Sequence, residues 1–414
     1  MVCFWVPAAE EPDLTEILGI SLQSMAKRTT KKKTTKKTTR KRVVKDSGPA
    51  MRVYEPPIGL GNILGQSRAV EILQQSMQSE RVHHAWIFHG PSGVGKFTAA
   101  VAWAATILDP TSQPDLGGQI APDPESQVQQ LLKAGTHPDL HVVKKELARY
   151  HEEKKVRDAK LASIPKAIVD EHLIVPATLA PTMKSDSIAG KVFIVDEAEL
   201  LDRSPTNAPV QNAILKTLEE PPPGTVIILV TSSEDRLLPT IRSRCQRVAF
   251  TPLDDDAMRA WYSTHQQPLD PDEHHWLMQY AGGSPGRFMD AIEGGLYHWH
   301  KAIEPMCLQA DRGIHSVSLG GTMGELVDQW AAKWVKEGDK LGENRSKEAA
   351  NRKGADQMFA LIAQRARKGL REPASTHRAL HTIDCVERAK TELNTNVQLK
   401  FVMEHLAAGL SESI

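Results

Sequence analysis

The sequence predicts an α/β fold: a parallel sheet with helices on both faces, followed by a helical half. Two observations support this prediction. Short apolar runs typical of buried strands alternate with segments of helical spacing up to about residue 250, and this alternation favours parallel strands. After Pro252 the strand signals stop, and the remaining residues show helical patterns only.

The first 50 residues have the composition of a disordered tail. Residues 27–45 contain eleven Lys or Arg and no acid, and such a tract cannot bury apolar surface. Because the formal net charge of the chain is zero, the remainder is acidic by a similar amount. Two interpretations of the tail stay open. It contacts nucleic acid through the phosphate backbone, or it is simply a solvated tail.

The elements behind the tail follow from periodicity. A helix is predicted over 66–78, a strand over 85–89, an Ala-rich helix over 97–108 and a surface loop over 109–126. Further strands are predicted at 192–195, 226–230 and 247–250, with a helix over 212–218 that stops before three prolines. Short helices broken at two Gly-Gly pairs fill 254–298, and 300–414 is helical, ending in an amphipathic run from Ala379 to Leu410.

A glycine-rich loop follows the first predicted strand and opens a helix. Its residues are Gly90, Pro91, Ser92, Gly93, Val94, Gly95 and Lys96. This strand–loop–helix context predicts a phosphate-binding loop, in which backbone amides and the helix N-terminus face the phosphates of ATP. Lys96 would reach the β- and γ-phosphates. The alternative is a plain glycine turn with a surface lysine.

The residue after Lys96 departs from this pattern. A Ser or Thr there normally ligates magnesium, whereas this chain has Phe97. Thr98 does not repair the loss, because the next helical residue points about 100° away. We therefore expect the chain's own ATPase to be weak or absent, and ATP and Mg²⁺ are its candidate cofactors.

Polar residues follow two later strands. Asp196 and Glu197 end an apolar strand, where Asp196 would hold magnesium and Glu197 would orient the attacking water. The alternative is an acidic helix start. Thr231 and Ser232 at the tip of the next strand are candidates for contacting the γ-phosphate, against a simple strand-to-loop transition. Mg²⁺ would be possible only through Asp196.

The composition also limits the chemistry and the location. The four cysteines do not have the spacing of a zinc site or of a disulfide framework. No apolar stretch of about 18 residues predicts a membrane span, and the first residues lack the pattern of a signal peptide. We expect a cytoplasmic protein without zinc.

The segment 237–245 (Leu-Leu-Pro-Thr-Ile-Arg-Ser-Arg-Cys) ends in a Ser-Arg-Cys triplet. Placed after a Thr-Ser-Ser strand end, it resembles the clamp-loader subunits of the AAA+ superfamily, most of all the bacterial delta-prime type. The resemblance implies that Arg244 is an arginine finger that reaches a neighbouring subunit's ATP site in trans. Without the resemblance, Arg244 is more simply a surface or ion-pair residue.

Other segments resemble the same family. They are Ile63–Gln66, His83–Trp86, His137–Asp139, the helix from Asn212 to Pro222, the lid segment Gly283–Arg287 and the segment near Glu387 to Leu410, which resembles the collar helix. In the lid, Arg287 corresponds to an arginine that contacts phosphate. The resemblance implies an AAA+ P-loop core over 51–250, a helical lid over 251–298 and a helical collar for oligomerisation over 299–414.

The resemblance further implies partners. These are the delta and gamma/tau subunits in a heteropentameric ring associated with the nucleoid, the sliding clamp, and primed DNA during replication. Residues 109–190 lack the zinc cysteines of many relatives, and together with Phe97 this favours a delta-prime stator. The runner-up is an ATP-hydrolysing gamma/tau-type motor. A third alternative is another AAA+ machine, such as a branch-migration helicase or an unfoldase.

Overall fold

The computed structural model describes residues 57–79, 82–157, 163–183, 186–202, 207–265, 268–340, 345–370, 375–395 and 397–412. The predicted basic tail, residues 1–50, lies outside these ranges. Among the described residues, no helix is long and apolar enough to cross a membrane.

Five parallel strands form the central sheet. The strands in chain order are β1 Ala85–His89, β2 Gln113–Pro114, β3 Ile120–Ala121, β4 Leu140–Val143, β5 Lys191–Val195, β6 Thr225–Thr231 and β7 Gln246–Ala249. The sheet order is β4-β5-β6-β1-β7, and β2 pairs with β3 in a separate antiparallel ribbon. This ribbon lies within 109–126, which was predicted to be only a loop, and β4 was not predicted.

Helices occupy most of the remaining described chain. The α-helices are α1 Ser67–Gln78, α2 Lys96–Ile107, α3 Gln127–Ala134, α4 Lys154–Arg157, α5 Lys166–Val169, α6 Val175–Thr178, α7 Pro209–Glu219, α8 Pro239–Arg242, α9 Asp255–His265, α10 Pro271–Ala281, α11 Pro285–Gly294, α12 Leu296–Ala310, α13 Val317–Lys340, α14 Lys347–Gly369, α15 Thr376–Asn394 and α16 Leu399–Leu410. Short 3₁₀ turns lie at Leu60–Asn62, Lys145–Tyr150, Ala198–Leu200 and Glu234–Arg236, and a π-helical turn lies at Asp170–Ile174.

Both faces of the sheet are covered, as predicted. Along β1, Trp86 and Phe88 face one apolar cluster, whereas Ala85 and Ile87 face the other. This alternation is the period of two that a strand imposes on its side chains. On the first face the Trp86 ring meets Trp103 of α2, with ring centroids 4.9 Å apart. The buried apolar strands therefore fix the edge of the sheet at which the loops emerge.

The helical half differs from the prediction in one detail. The run from Ala379 to Leu410 is two helices, α15 and α16, because α15 ends at Asn394 and Thr395, residue types that compete for backbone hydrogen bonds and favour helix ends. Helix α12 runs through residues 298 and 299, where the boundary between lid and collar stays a prediction. It packs on α13 and α14, and Arg365 of α14 donates to Glu304 of α12 at 3.2 Å and to its C-cap, Asp311, at 2.5 Å.

Candidate functional site

The loop between β1 and α2 has the backbone that a phosphate loop requires. Gly90, Gly93 and Gly95 have φ angles of 139°, 77° and 94°, which side-chain-bearing residues rarely adopt. Gly95 is the N-cap of α2. At Gly90 a Cβ would lie 2.1 Å from the carbonyl oxygen of Phe250, so the loop packs directly on the chain after β7.

Lys96 is buried at the start of α2 and bonds to the loop itself. Its Nζ donates to the carbonyl oxygens of Gly90 at 2.8 Å and Pro91 at 2.6 Å. Burial lowers the pKa of Lys96, and the negative charges of Glu199 and Asp196 oppose that shift. The Lys96 ammonium therefore binds the loop carbonyls and lies close enough to the Glu199 and Asp196 carboxylates to feel their charge.

Asp196 follows β5 at the same edge of the sheet. The register pairs Val143 of β4 with Val195 of β5, and the amide of Asp196 donates to the Val143 carbonyl at 3.0 Å. Lys144 therefore lies opposite Asp196, with Nζ 3.5 Å from Oδ2. Burial raises the pKa of the Asp196 carboxyl, and the charge of Lys144 partly offsets this.

The surroundings of Asp196 do not fit a magnesium ion. The Lys144 ammonium also lies 3.8 Å from the centre of the Phe97 ring. Phe97 occupies the sequence position at which a hydroxyl ligand would be needed. Mg²⁺ prefers about six oxygen ligands in an octahedron, whereas here Phe97 supplies no oxygen and the Lys144 ammonium lies beside the carboxylate. No group of three or more His, Cys, Asp or Glu suited to any metal ion was found within the described ranges.

Glu197 and the next acidic residue, Glu199, have different partners. Glu197 has a φ of 50°, the only positive value for a non-glycine among the described residues, and its Oε2 lies 2.6 Å from Lys145 Nζ. Glu199 accepts from the hydroxyl of Ser232 and from its amide at 3.2 Å. The other oxygen of Glu199, Oε2, is buried without a hydrogen-bond partner in the described structure.

The tip of β6 separates the two candidates predicted there. Thr231 is buried, and its hydroxyl accepts from the amide of Ser233 at 3.1 Å. Ser232 instead bonds to Glu199. Both positions lie at the edge of the sheet that carries Lys96 and Asp196, but their side chains are engaged within the loop.

The predicted lid segment contacts the predicted phosphate loop through one backbone amide and one side-chain hydroxyl. The amide of Gly286 donates to the Gly93 carbonyl at 2.9 Å, and the Ser284 hydroxyl donates to the Ser92 carbonyl at 2.9 Å. Arg287 lies in α11, where its guanidinium carbon is 5.1 Å from the centre of the Tyr280 ring. The structure thus brings the lid to the loop but places the Arg287 side chain against Tyr280.

Gln66 is a residue at this site whose role was not predicted. Its side-chain amide donates to the carbonyls of Val94 at 3.2 Å and Thr251 at 2.7 Å, and its oxygen accepts from the Thr251 amide at 3.2 Å. Gln66 therefore joins the phosphate loop to the start of the lid. It lies in the segment that resembles the clamp-loader N-terminal signature, which was the available signal.

Arg244 lies at the amino ends of the strands, whereas the phosphate loop lies at their carboxyl ends. It precedes the amino end of β7, and the parallel pairing of Gln246 with Trp86 places it beyond the amino end of β1. The phosphate loop follows the carboxyl end of β1. Arg244 Nη2 lies 2.7 Å from Glu219 Oε1 and Nη1 donates to the Thr240 carbonyl at 2.9 Å, so the ion pair predicted as the simpler alternative exists.

The parallel sheet, the glycine-rich loop between β1 and α2 and the helical segments that follow confirm the predicted α/β fold class. Residues 65–254 match the family described as DNA polymerase III, delta subunit. The delta' subunit of DNA polymerase III from Pseudomonas aeruginosa is 34% identical over 49% of this chain and 53% of its own length. The predicted resemblance to delta-prime subunits is thus confirmed for this half of the chain.

Two further relatives show the same pattern. The delta' subunit from Bacillus subtilis is 30% identical over 47% of this chain and 50% of its own length. The tau subunit from the same organism is 28% identical over 50% of this chain and 31% of its own length. The chain thus spans about half the length of these delta' relatives.

Proposed function

We propose that this chain is a delta-prime-like stator subunit of the DNA polymerase III clamp loader. In this role it supplies Arg244 to the ATP site of a neighbouring subunit. The complex of delta, gamma/tau and this chain, arranged as a heteropentameric ring, loads the sliding clamp onto primed DNA. The family match over residues 65–254 supports the type of complex, and the position of Arg244 supports the role.

The position of Arg244 is the observation that carries the proposal. Strand β1 has five residues and rises about 3.3 Å per residue, so its amino and carboxyl ends are about 16 Å apart. This separation is too large for Arg244 to act on its own phosphate loop. If Arg244 acts on a nucleotide, another subunit must hold that nucleotide, and the guanidinium would then neutralise charge on the transferring phosphate.

The ion pair with Glu219 is compatible with this role. Arg244 keeps a side-chain exposure of 36%, and a guanidinium has five N–H donors in a planar fork. Glu219 and the Thr240 carbonyl engage only part of that fork and hold its orientation. The side chain therefore presents a fixed, partly exposed cation to whatever packs on this edge.

The alternative is a gamma/tau-type motor, which would hydrolyse ATP at its own loop. The presence of Lys96, Asp196 and Glu197, and the tau relative, favour it. The contacts of Lys144 with Asp196 and Phe97 oppose it, because they place a positive charge beside the carboxylate that would bind magnesium and a phenyl ring at the position of its hydroxyl ligand.

Substitution of Lys96 in the reconstituted complex separates the two functions. A stator with Lys96→Ala should keep DNA- and clamp-stimulated ATP hydrolysis within about twofold of wild type, because turnover occurs in other subunits. A motor should lose the hydrolysis of its own site. Loss of most of the ATPase activity with the ring still assembled would therefore replace the stator proposal with the motor.

A further inference from the structure

One lysine side chain contacts both positions that would ligate a metal in a phosphate-loop site. These positions are Asp196, which follows β5, and the residue after Lys96, which here is Phe97. Lys144 Nζ lies 3.5 Å from Oδ2 of Asp196 and 3.8 Å from the centre of the Phe97 ring. The Lys144 and Asp196 side chains are only 10% and 15% exposed, so the contact is largely shielded from solvent.

The two unusual residues are chemically matched to each other. A phenyl ring cannot ligate a metal, but its face attracts an ammonium group. A lysine ammonium cannot be a metal ligand, but it places a positive charge beside a carboxylate that has lost much of its hydration. The Phe97 ring therefore attracts the Lys144 ammonium, and the ammonium supplies the positive charge next to Asp196 that a divalent cation supplies elsewhere.

The backbone sets the position of this ammonium. Because Val143 pairs with Val195 and the Asp196 amide donates to the Val143 carbonyl, the next residue of each strand must lie side by side. Other charges nearby are already paired or bonded: Glu197 with Lys145, and Lys96 with the loop carbonyls. Lys144 is thus the cation paired with Asp196 in the described structure.

We propose that the Lys144 ammonium takes the place of the divalent cation at Asp196, so that this phosphate-loop site is built to work without a metal. The inference deepens the proposed function and rests on it for the identity of the metal position. It explains in terms of this chain's own residues why the loop would be kept while its hydrolysis is lost. It also predicts that removing the ammonium opens the position to a metal ion.

The test is a thermal melt of the full chain in Mn²⁺ and in EDTA at equal ionic strength. Lys144→Met keeps an unbranched side chain of similar length and leaves Asp196 without its counter-charge. A cation that binds only the folded state raises Tm by mass action, so this variant should gain at least about 2 °C with millimolar Mn²⁺. Wild type should gain none, and Lys144→Met combined with Asp196→Asn should lose the gain.

Two further variants complete the design. Lys145→Met, which removes the neighbouring ammonium from Glu197, should behave as wild type. Phe97→Thr with Lys144 unchanged should also show no Mn²⁺ response, and it keeps the test decisive if Lys144→Met does not fold. A Mn²⁺ response in wild type or in Phe97→Thr, or none in a folded Lys144→Met, would overturn the inference. These readouts need neither the ring nor ATP hydrolysis, so they can fail independently of the stator proposal.

Discussion

The backbone amide of Gly286 donates to the carbonyl oxygen of Gly93 at 2.9 Å, which joins the first turn of α11 to the phosphate loop. The approach is close because both residues lack a Cβ. A Cβ on Gly286 would lie 2.6 Å from the Gly93 Cα, well inside van der Waals contact. The geometry of the lid relative to the core therefore depends on these two glycines.

We expect Gly286→Ala to separate the lid from the loop. The added methyl group meets backbone that cannot rotate away, and overpacking of this kind costs about 1–3 kcal/mol. Thermal or urea unfolding followed by circular dichroism should show the loss. Gly321→Ala is the matched control: Gly321 lies inside α13 with open space where its Cβ would be. That change should be neutral or stabilising by up to about 1 kcal/mol, and an equal loss in both variants would refute the explanation.

Glu197 is predicted to be strained by its backbone. A left-handed φ of 50° favours glycine over a residue with a Cβ. Its ion pair with Lys145 is half-exposed and contributes at most about 1 kcal/mol. Glu197→Gly should therefore leave stability unchanged or raise it, whereas Glu197→Val, with a branched Cβ, should lower it by about 1–2 kcal/mol. If the valine variant is as stable as the glycine variant in urea unfolding, the strain is absent.

His141 predicts a pH dependence of stability. Burial lowers the pKa of His141 from 6.5 to about 4, and its ring stacks on Phe193 with centroids 4.7 Å apart. As pH falls below 6.5, the unfolded chain takes up a proton at His141 while the folded chain does not, so stability is lost on acidification towards pH 4. This contribution is fully present only above pH 6.5.

Replacing His141 by phenylalanine keeps the stack and removes the titration. We expect His141→Phe to lose less Tm than wild type between pH 7 and pH 5. His315, which is exposed, provides the control: His315→Phe should follow the wild-type pH profile. Parallel profiles for all three proteins would show that His141 does not control this part of the acid sensitivity.

Local signals were sufficient to predict the main elements of the core. The strands β1, β5 and β6 are apolar runs, and the phosphate loop is a contiguous motif, so sequence position alone located Lys96 and Asp196. Strand β4 was missed because it has only four residues and His141 interrupts its apolar run. Its position on the sheet depends on pairing with β5, which periodicity does not encode.

The unpredicted parts of the site follow from that missing register. Lys144 meets Asp196 only because β4 lies beside β5, and Gln66 reaches Thr251 across 185 residues of sequence. Arg244 was predicted as a finger by family resemblance, but its distance from its own loop required the pairing of β7 with β1. The prediction of the site from sequence was limited by contacts between residues far apart in the chain, not by the identification of residue types.

The central claim is that Arg244 acts on a neighbour's ATP site, and ATP hydrolysis by the reconstituted clamp loader tests it most directly. Arg244→Ala should lower DNA- and clamp-stimulated hydrolysis at least about tenfold, and Arg244→Lys should restore little, because an ammonium lacks the planar fork. Arg247→Ala, which removes an exposed arginine that pairs with Glu234, should leave hydrolysis unchanged. Equal activity of Arg244→Ala, Arg247→Ala and wild type in an assembled ring would contradict the account.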